Sequence, residues 1–377
     1  MAHYKVLVGC CLRQQAHVVD YYCRSLRALQ VPRDAELRFG FIDDGTDGKE
    51  HIAALEPALV LPAEPRPPDA VYAITEQTHI WQHATFEHLA RQKQRLLQYA
   101  IDAGYSHVFL VDSDILLEST TLVSLWETKC DITNAVFWTR WQPDAPPMPQ
   151  CWLSHPYGMK GLGMEEHEFL GSLTRRQAVR CIGGGACTLM ATDALKRGIR
   201  YHPRLPGLPP DGMWQGEDRT FALLAARNHE RQLADGWPDV FHAYRMEQRT
   251  PEALEEAWTV LSAPRQTRAK YGDMVSLTLD PLEDPPLATS LAAKSEMRCI
   301  RGRLGGLPLA PELESAILDM APGDIRLINM RFPMWHPIEV YRGHEKVIKL
   351  MLVDVKPYSY APVLAEAAFA GVGHAYD

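Results

Sequence analysis

The chain has 377 residues, 46% of them hydrophobic and 23% charged, ordinary globular proportions that exclude disorder throughout. Lysine and arginine number 39 against 47 aspartates and glutamates, a net charge of −8, which argues against a general nucleic-acid binder. One core rarely exceeds about 250–300 residues, so a large α/β unit with a smaller appendage is expected.

No stretch reaches the roughly 18 apolar residues that cross a bilayer, and residues 4–9 read as a first strand rather than a signal peptide. The eight cysteines, at positions 10, 11, 23, 130, 151, 181, 187 and 299, form no paired C-x-x-C spacing, so a reducing, cytoplasmic setting is expected.

In chain order, strand 4–9 precedes helical spacing over 16–29, with Val18, Val19, Tyr22, Leu26 and Leu29 on one face and Pro32 beyond. Strand 37–42 ends in the turn-rich Asp43-Asp44-Gly45-Thr46-Asp47-Gly48. A short strand is expected at 59–61, a Pro-rich loop at 62–68, a long helix over about 78–103, and a buried strand at 107–111. Residues 143–163 read as a long loop, order resumes at 178–182, and 186–191 reads as a strand after Gly183-Gly184-Gly185. A helix follows from 193, another from 219 to about 228, a short strand at 239–242, and helices to about 270. The alternation predicts a mostly parallel sheet covered by helices. The texture changes after Gly272, so residues 1–272 are read as the main domain and 273–377 as an accessory α+β region. Within the latter, 281–286 reads as a linker and 339–341 and 346–355 as strands.

Four places carry residues suited to chemistry. Asp112-Ser113-Asp114 closes a buried strand, where ligands of open α/β sheets collect. Paired carboxylates there suit Mg²⁺ or Mn²⁺ completed by phosphate oxygens, although such a pair also serves as a plain turn cap. Asp43 and Asp44 end an earlier strand, placed either to accept hydrogen bonds from a base or ribose or to shape a polar turn. Glu217 and Asp218 open a helix, as a general base or a cap. His242 lies on a short strand, as a packing residue or a metal ligand.

Together with the first strand, these features resemble the glycosyltransferases of the GT-A fold, most closely their family 2-like group, over about residues 3–245. The resemblance implies a Rossmann-like α/β sheet, transfer of a sugar from a nucleotide-diphosphate sugar (UDP-sugar favoured) to an acceptor nucleophile, and inversion at the anomeric carbon. It further implies that Asp43 or Asp44 holds the base or ribose. Asp112, with Ser113, would touch the ribose and diphosphate region, and Asp114, with Asp112 and His242, would bind Mn²⁺ or Mg²⁺. Arg91, Lys93 or Arg95 would lie near the nucleotide, and Asp218, with Glu217 beside it, would be the base. Gly184 and Gly185 would leave room for the sugar or acceptor, with Trp214 a stacking surface. Thr46 stands where the family pattern has Ser. The Gln-x-x-Arg-Trp motif has only Arg265-Gln266-Thr267-Arg268 in its place, which argues against a processive polysaccharide synthase.

Other readings have specific signals. A sugar nucleotidyltransferase would carry a Gly-rich loop with Arg and Lys after the first strand, where this chain has Gly9-Cys10-Cys11-Leu12-Arg13. A D-x-D-x-T phosphatase would have Thr or Val where Ile115-Leu116 stand. A non-catalytic sugar-nucleotide or protein-binding module would bind without turnover. His79 and His83 are spaced for one helix face, with His88 beyond, but lack the glutamate of a zinc-protease motif. Trp138, Trp141 and Trp152 are further stacking candidates, and Cys10-Cys11 read as small buried residues. The accessory region is expected to serve acceptor binding or self-association.

Overall fold

A computed structural model of the chain describes residues 4–143, 145, 147–152, 166–174, 176–202, 216–263, 268–270, 273–281, 299–304, 311–331 and 345–356. The chain divides into two compact units, one of Met1–Trp126 with Cys130–Ala263 and one built on Pro264–Val363. Ala269 already belongs to the second unit, buried in its core with its N–H bonded to the Met320 carbonyl.

The first unit is built on an eight-stranded mixed sheet. Its strands are β1 (Tyr4–Leu12), β2 (Ala35–Asp43), β3 (Ala58–Pro62), β4 (His107–Val111), β5 (Ile132–Ala135), β6 (Ala178–Cys181), β7 (Cys187–Ala191) and β8 (Gln232–Asp235). They lie in the order β6-β8-β5-β7-β4-β1-β2-β3. The run β4-β1-β2-β3 is parallel, as is β5 with β8, whereas β7 runs antiparallel to both its neighbours. Val6, Leu7, Val8, Cys10 and Leu12 of β1 are all buried, the continuous apolar run that a strand covered on both faces requires. At the β1–β2 pairing Gly9 faces Gly40, and a Cβ on Gly9 would stand 1.6 Å from the Gly40 carbonyl oxygen.

Helices cover both faces. On one, α1 (Ala16–Arg27) contributes Val19, Tyr22, Cys23 and Leu26 to a core with Val6, Val8 and Val111. On the other, α2 (His83–Asp102) and α3 (Glu217–Arg227) bring Ala90, Leu96, Leu97, Ala100, Phe221 and Ala225 against Leu7, Val108 and Leu110. A further helix, α4 (Pro251–Leu261), is capped by the Thr250 hydroxyl, which accepts from the Ala253 N–H. The mostly parallel sheet flanked by helices is thus present.

The start of the long helix differs from the sequence reading. The helix expected from residue 78 begins at His83, and the chain before it forms a hairpin of Tyr72–Ile74 with His79–Trp81. Tyr244 holds this hairpin through its hydroxyl and carbonyl, long-range contacts that local periodicity does not reveal. Val240–His242 pairs antiparallel with Ile115–Leu117, setting His242 opposite Ile115 and beside Asp114.

The second unit is a four-stranded antiparallel sheet. Its strands β9 (Met274–Pro281), β10 (Cys299–Arg303), β11 (Ile325–Arg331) and β12 (Glu345–Lys356) lie in the order β10-β9-β12-β11. Helix α5 (Pro311–Ile317) supplies Leu313 and Ile317 to a core with Val275, Leu277, Leu350 and Leu352. The strand expected at 339–341 and residues 282–286 of the expected linker lie outside the described residues, whereas Pro281 closes β9. Among the described residues no helix is long and apolar enough to cross a membrane.

Candidate active site

The parallel strands β2 and β4 end on the same edge of the sheet, so Asp44 and Asp112 emerge there together. They line one cavity of about 350 Å³ with Ser113, Asp114, Gly185, Glu217, Asp218 and His242. These residues come from distant points of the chain and meet because β1 separates β2 from β4 while β7 and α3 close the far side.

Lys93 organises the floor. It is fully buried, and its ammonium donates to Glu217 Oε1 at 2.8 Å and Asp218 Oδ1 at 3.1 Å and lies 3.2 Å from Asp112 Oδ1. Its cation also stands over the Tyr201 ring, 5.3 Å from the centroid. One positive charge among three carboxylates cannot neutralise them all in a site of low dielectric. Burial accordingly pushes the Asp218 carboxyl up to about 7 and that of Asp112 up to about 6, with Glu217 adding to both and Lys93 opposing. Burial works to neutralise Lys93, yet the carboxylates outweigh it and hold its ammonium well above the usual lysine range.

Asp114 has a different environment. Its Oδ2 lies 3.7 Å from His242 Nε2 and 3.5 Å from an Arg249 guanidinium nitrogen. Burial works to raise its carboxyl, but His242 and Arg249 outweigh that and hold it well below the usual carboxylate range. His242 Nδ1 is 2.7 Å from the buried Thr139 hydroxyl. Were Nδ1–H to donate to Thr139, Nε2 would be free to ligate a metal. Among the described residues no group of three His, Cys, Asp or Glu side chains gathers to hold an ion. The expected trio of Asp112, Asp114 and His242 is therefore split, because Lys93 draws Asp112 toward α3. Asp114 with His242 remains a donor pair suited to a divalent ion that takes its other ligands from phosphate and water.

The two acidic residues after β2 separate cleanly. Asp43 shapes the turn, accepting from the Gly45 and Thr46 N–H groups at 3.1 and 3.0 Å and pairing with Lys49. Asp44 lines the cavity, paired with Arg66 and 3.2 Å from Nε2 of the buried His88. Both His88 ring nitrogens and Arg66 Nε are buried without a hydrogen bond. His88 Nε2 faces the Asp44 carboxylate, which leaves His88 Nδ1 and Arg66 Nε as the two atoms without a partner near Asp44.

The remaining expectations fall as follows. Arg91 reaches Glu64 and Glu87, and Arg95 donates to the Pro62 carbonyl and Gln92. Neither lines the cavity; its cationic lining is Arg13, Arg66 and Arg219. Gly184 makes room for a protein side chain, since a Cβ there would stand 2.6 Å from Asn134 Cγ, whereas Gly185 admits Asp218. Trp141 and Trp152 line the cavity, Trp138 packs into a core beside Phe169, and Trp214 and Arg265-Gln266-Thr267 lie outside the described residues. His79 and His83 do not share a helix: His79 stacks on Tyr244 at 3.7 Å between centroids, and His83 pairs with Glu87. The Cys11 thiol lines the cavity, but burial pushes it far above its usual range, which leaves no thiolate nucleophile.

Sequence reasoning missed Arg66, Arg219, Arg249 and the hairpin aromatics. Lys93, named from the resemblance with Arg91 and Arg95, is the one of the three set among Ala90, Leu97 and Ala100 on the buried face of α2.

No protein-family model matches the chain, and no curated protein matches it in sequence. Among solved structures it is similar to TarS of S. aureus, at 15% identity and a TM-score of 0.38 over 68% of this chain and 38% of that one. A 1-349 form of TarS matches at 15% identity and 0.39 over 68% and 64%. The mannosyltransferase PcManGT of Pyrobaculum calidifontis, solved with GDP-Man and Mn²⁺, matches at 14% identity and 0.34 over 62% and 58%. The chain thus spans less than two thirds of each of these structures.

Proposed function

We propose that the chain is a glycosyltransferase that moves a sugar from a nucleotide-diphosphate sugar, UDP-linked by preference, to an acceptor nucleophile with inversion. The observation that carries this reading is that Asp44, Asp114, His242 and Asp218, drawn from four separate segments, line one cavity. Asp44, which lines the cavity, would accept hydrogen bonds from a base or ribose.

Asp114 and His242 are the residues that would hold Mn²⁺ or Mg²⁺, which supplies Lewis-acid neutralisation of charge on a diphosphate leaving group. Asp218 is the base: its ionised carboxylate takes the proton of the attacking hydroxyl. The acceptor oxygen then bonds to the anomeric carbon as the bond from that carbon to the phosphate oxygen breaks, its electron pair leaving with the diphosphate. A carboxyl pushed up to about 7 by burial is basic enough to receive that proton and still substantially ionised near neutral pH. Lys93 positions Asp112, Glu217 and Asp218 and, being fully buried, does not itself reach the nucleotide.

Thermal unfolding with UDP-, GDP- and dTDP-sugars, with and without Mn²⁺, tests the reading, since a ligand that binds only the native state raises the midpoint. A rise with one nucleotide sugar that is enlarged by Mn²⁺, together with transfer abolished in Asp218→Asn, is expected. The absence of any nucleotide-dependent rise would overturn it.

A further inference from the structure

One wall of the cavity is a continuous strip of six aromatic rings. Trp141 meets Tyr244 edge-on at 5.0 Å, Tyr244 stacks on His79 at 3.7 Å, and His79 meets Tyr72 at 5.5 Å. Tyr72 lies 4.4 Å from Trp81, which stacks on Phe86 at 5.2 Å with the planes 12° apart. All six line the cavity that holds Asp218. No local sequence pattern links them; they come from the hairpin, the first turn of α2, and the segments around residues 141 and 244.

The polar tips of Tyr72, His79 and Tyr244 are already engaged. His79 Nε2 donates to the Tyr244 carbonyl at 2.6 Å, so its Nδ1 accepts from the Tyr72 hydroxyl at 2.7 Å. The Tyr244 hydroxyl is shared with Thr78 Oγ1 and the His79 N–H. What these three rings offer a ligand is therefore face. Trp141 is 41% exposed, and Tyr72, Trp81 and Phe86 are half-buried, so faces remain accessible. A nucleobase needs its edge read as well as its face, and the proposed function gives that role to Asp44, which contributes no ring to the strip.

We infer that this strip is the acceptor subsite and that it takes an uncharged ring with an apolar face by stacking on the faces of Trp141, Trp81 and their neighbours. The inference rests on the glycosyl-transfer reading and adds to it a class of acceptor. The apolar face of a pyranose and a hydroxylated aryl ring share this chemistry. Asp218 lines the same cavity and is the base that the hydroxyl of such a ring would have to reach.

Saturation-transfer NMR on the full chain tests this with two probes, methyl β-D-glucopyranoside for the pyranose and 4-hydroxybenzyl alcohol for the aryl ring, beside UDP and GDP. One probe is expected to bind saturably through its ring protons. Trp141→Ala and Trp81→Ala should each weaken it about tenfold, Trp141→Phe should retain most of the binding, and nucleotide affinity should stay within about twofold. Whichever probe binds identifies the source of the ring. Binding of neither probe, or binding unchanged in both alanine variants, overturns the subsite even where nucleotide binding is intact. A parallel loss of nucleotide affinity in the variants reassigns the strip to the donor and also overturns it. Failure of the wild-type chain to bind any nucleotide overturns the glycosyl-transfer reading and the acceptor subsite with it.

Discussion

Gly185 stands where a side chain would collide with the Asp218 carboxylate: a Cβ there would lie 2.5 Å from Asp218 Oδ2. The backbone after β6 thus fixes how the carboxylate sits over the cavity. Gly185→Ala should lower kcat about 100-fold, the scale of a misplaced reacting group, with nucleotide affinity nearly unchanged. Steady-state kinetics beside nucleotide titration checks this; full turnover in the variant would show that Asp218 has room to relocate.

Asp218→Asn should reduce transfer by about 10²–10⁴-fold, the range of general-base contributions, while nucleotide binding stays within about threefold. Because the base works ionised and its carboxyl is pushed up to about 7, the wild-type rate should rise with pH and level off above that value. A wild-type rate that is flat from pH 5 to 8 contradicts the assignment.

Lys93→Met should be strongly destabilising, by about 3–5 kcal/mol, the penalty typical of breaking a buried ion pair and leaving its partners uncompensated. Urea unfolding measures it. Lys93→Arg, which keeps the charge, should cost less. A loss below about 1 kcal/mol for the methionine variant would mean that protons or water replace the ammonium without strain.

The same cluster sets a pH dependence of stability. Folding raises the carboxyls of Asp218 and Asp112 to about 7 and about 6, above the ordinary aspartate value of 3.8. Between about pH 4 and 7 the native state therefore binds more protons than the unfolded chain, and these groups' contribution falls as pH rises through that window. Each fully shifting group changes stability by up to about 1.4 kcal/mol per pH unit. The wild type should thus lose stability to urea across this window more steeply than Asp218→Asn. Equal slopes would show that the Asp218 carboxyl is not raised on folding.

Asp114→Ala and His242→Ala should each remove the part of the nucleotide-induced thermal shift that depends on Mn²⁺, while the metal-free shift persists. Chelation of divalent ions should reproduce the effect in the wild type. A Mn²⁺-dependent shift that survives both substitutions would place the ion elsewhere.

Where the chain encodes structure locally, the sequence was readable. The fully buried runs Val6–Val8 and Val108–Val111 mark central strands, and the acidic residues directly after such runs had to emerge at one sheet edge. What depended on partners far along the chain was not readable. His79 sits in helix-like local spacing but joins a hairpin held by Tyr244, 165 residues away. Lys93 was named only as one of three basic residues implied by the resemblance, and nothing near it announces Glu217 and Asp218, 124 and 125 residues later. The pairing of Arg66 with Asp44 has the same character.

The facing glycines of β1 and β2 have a consequence for variation in this chain. Because a Cβ at position 9 would collide with the Gly40 carbonyl, any larger residue there must wedge the two strands apart three residues before Asp43. A change deep in the scaffold would then register as altered donor preference, by tilting Asp44 relative to Asp112. Random libraries sampled for nucleotide selectivity should accordingly yield hits at position 9 or 40 that touch no ligand.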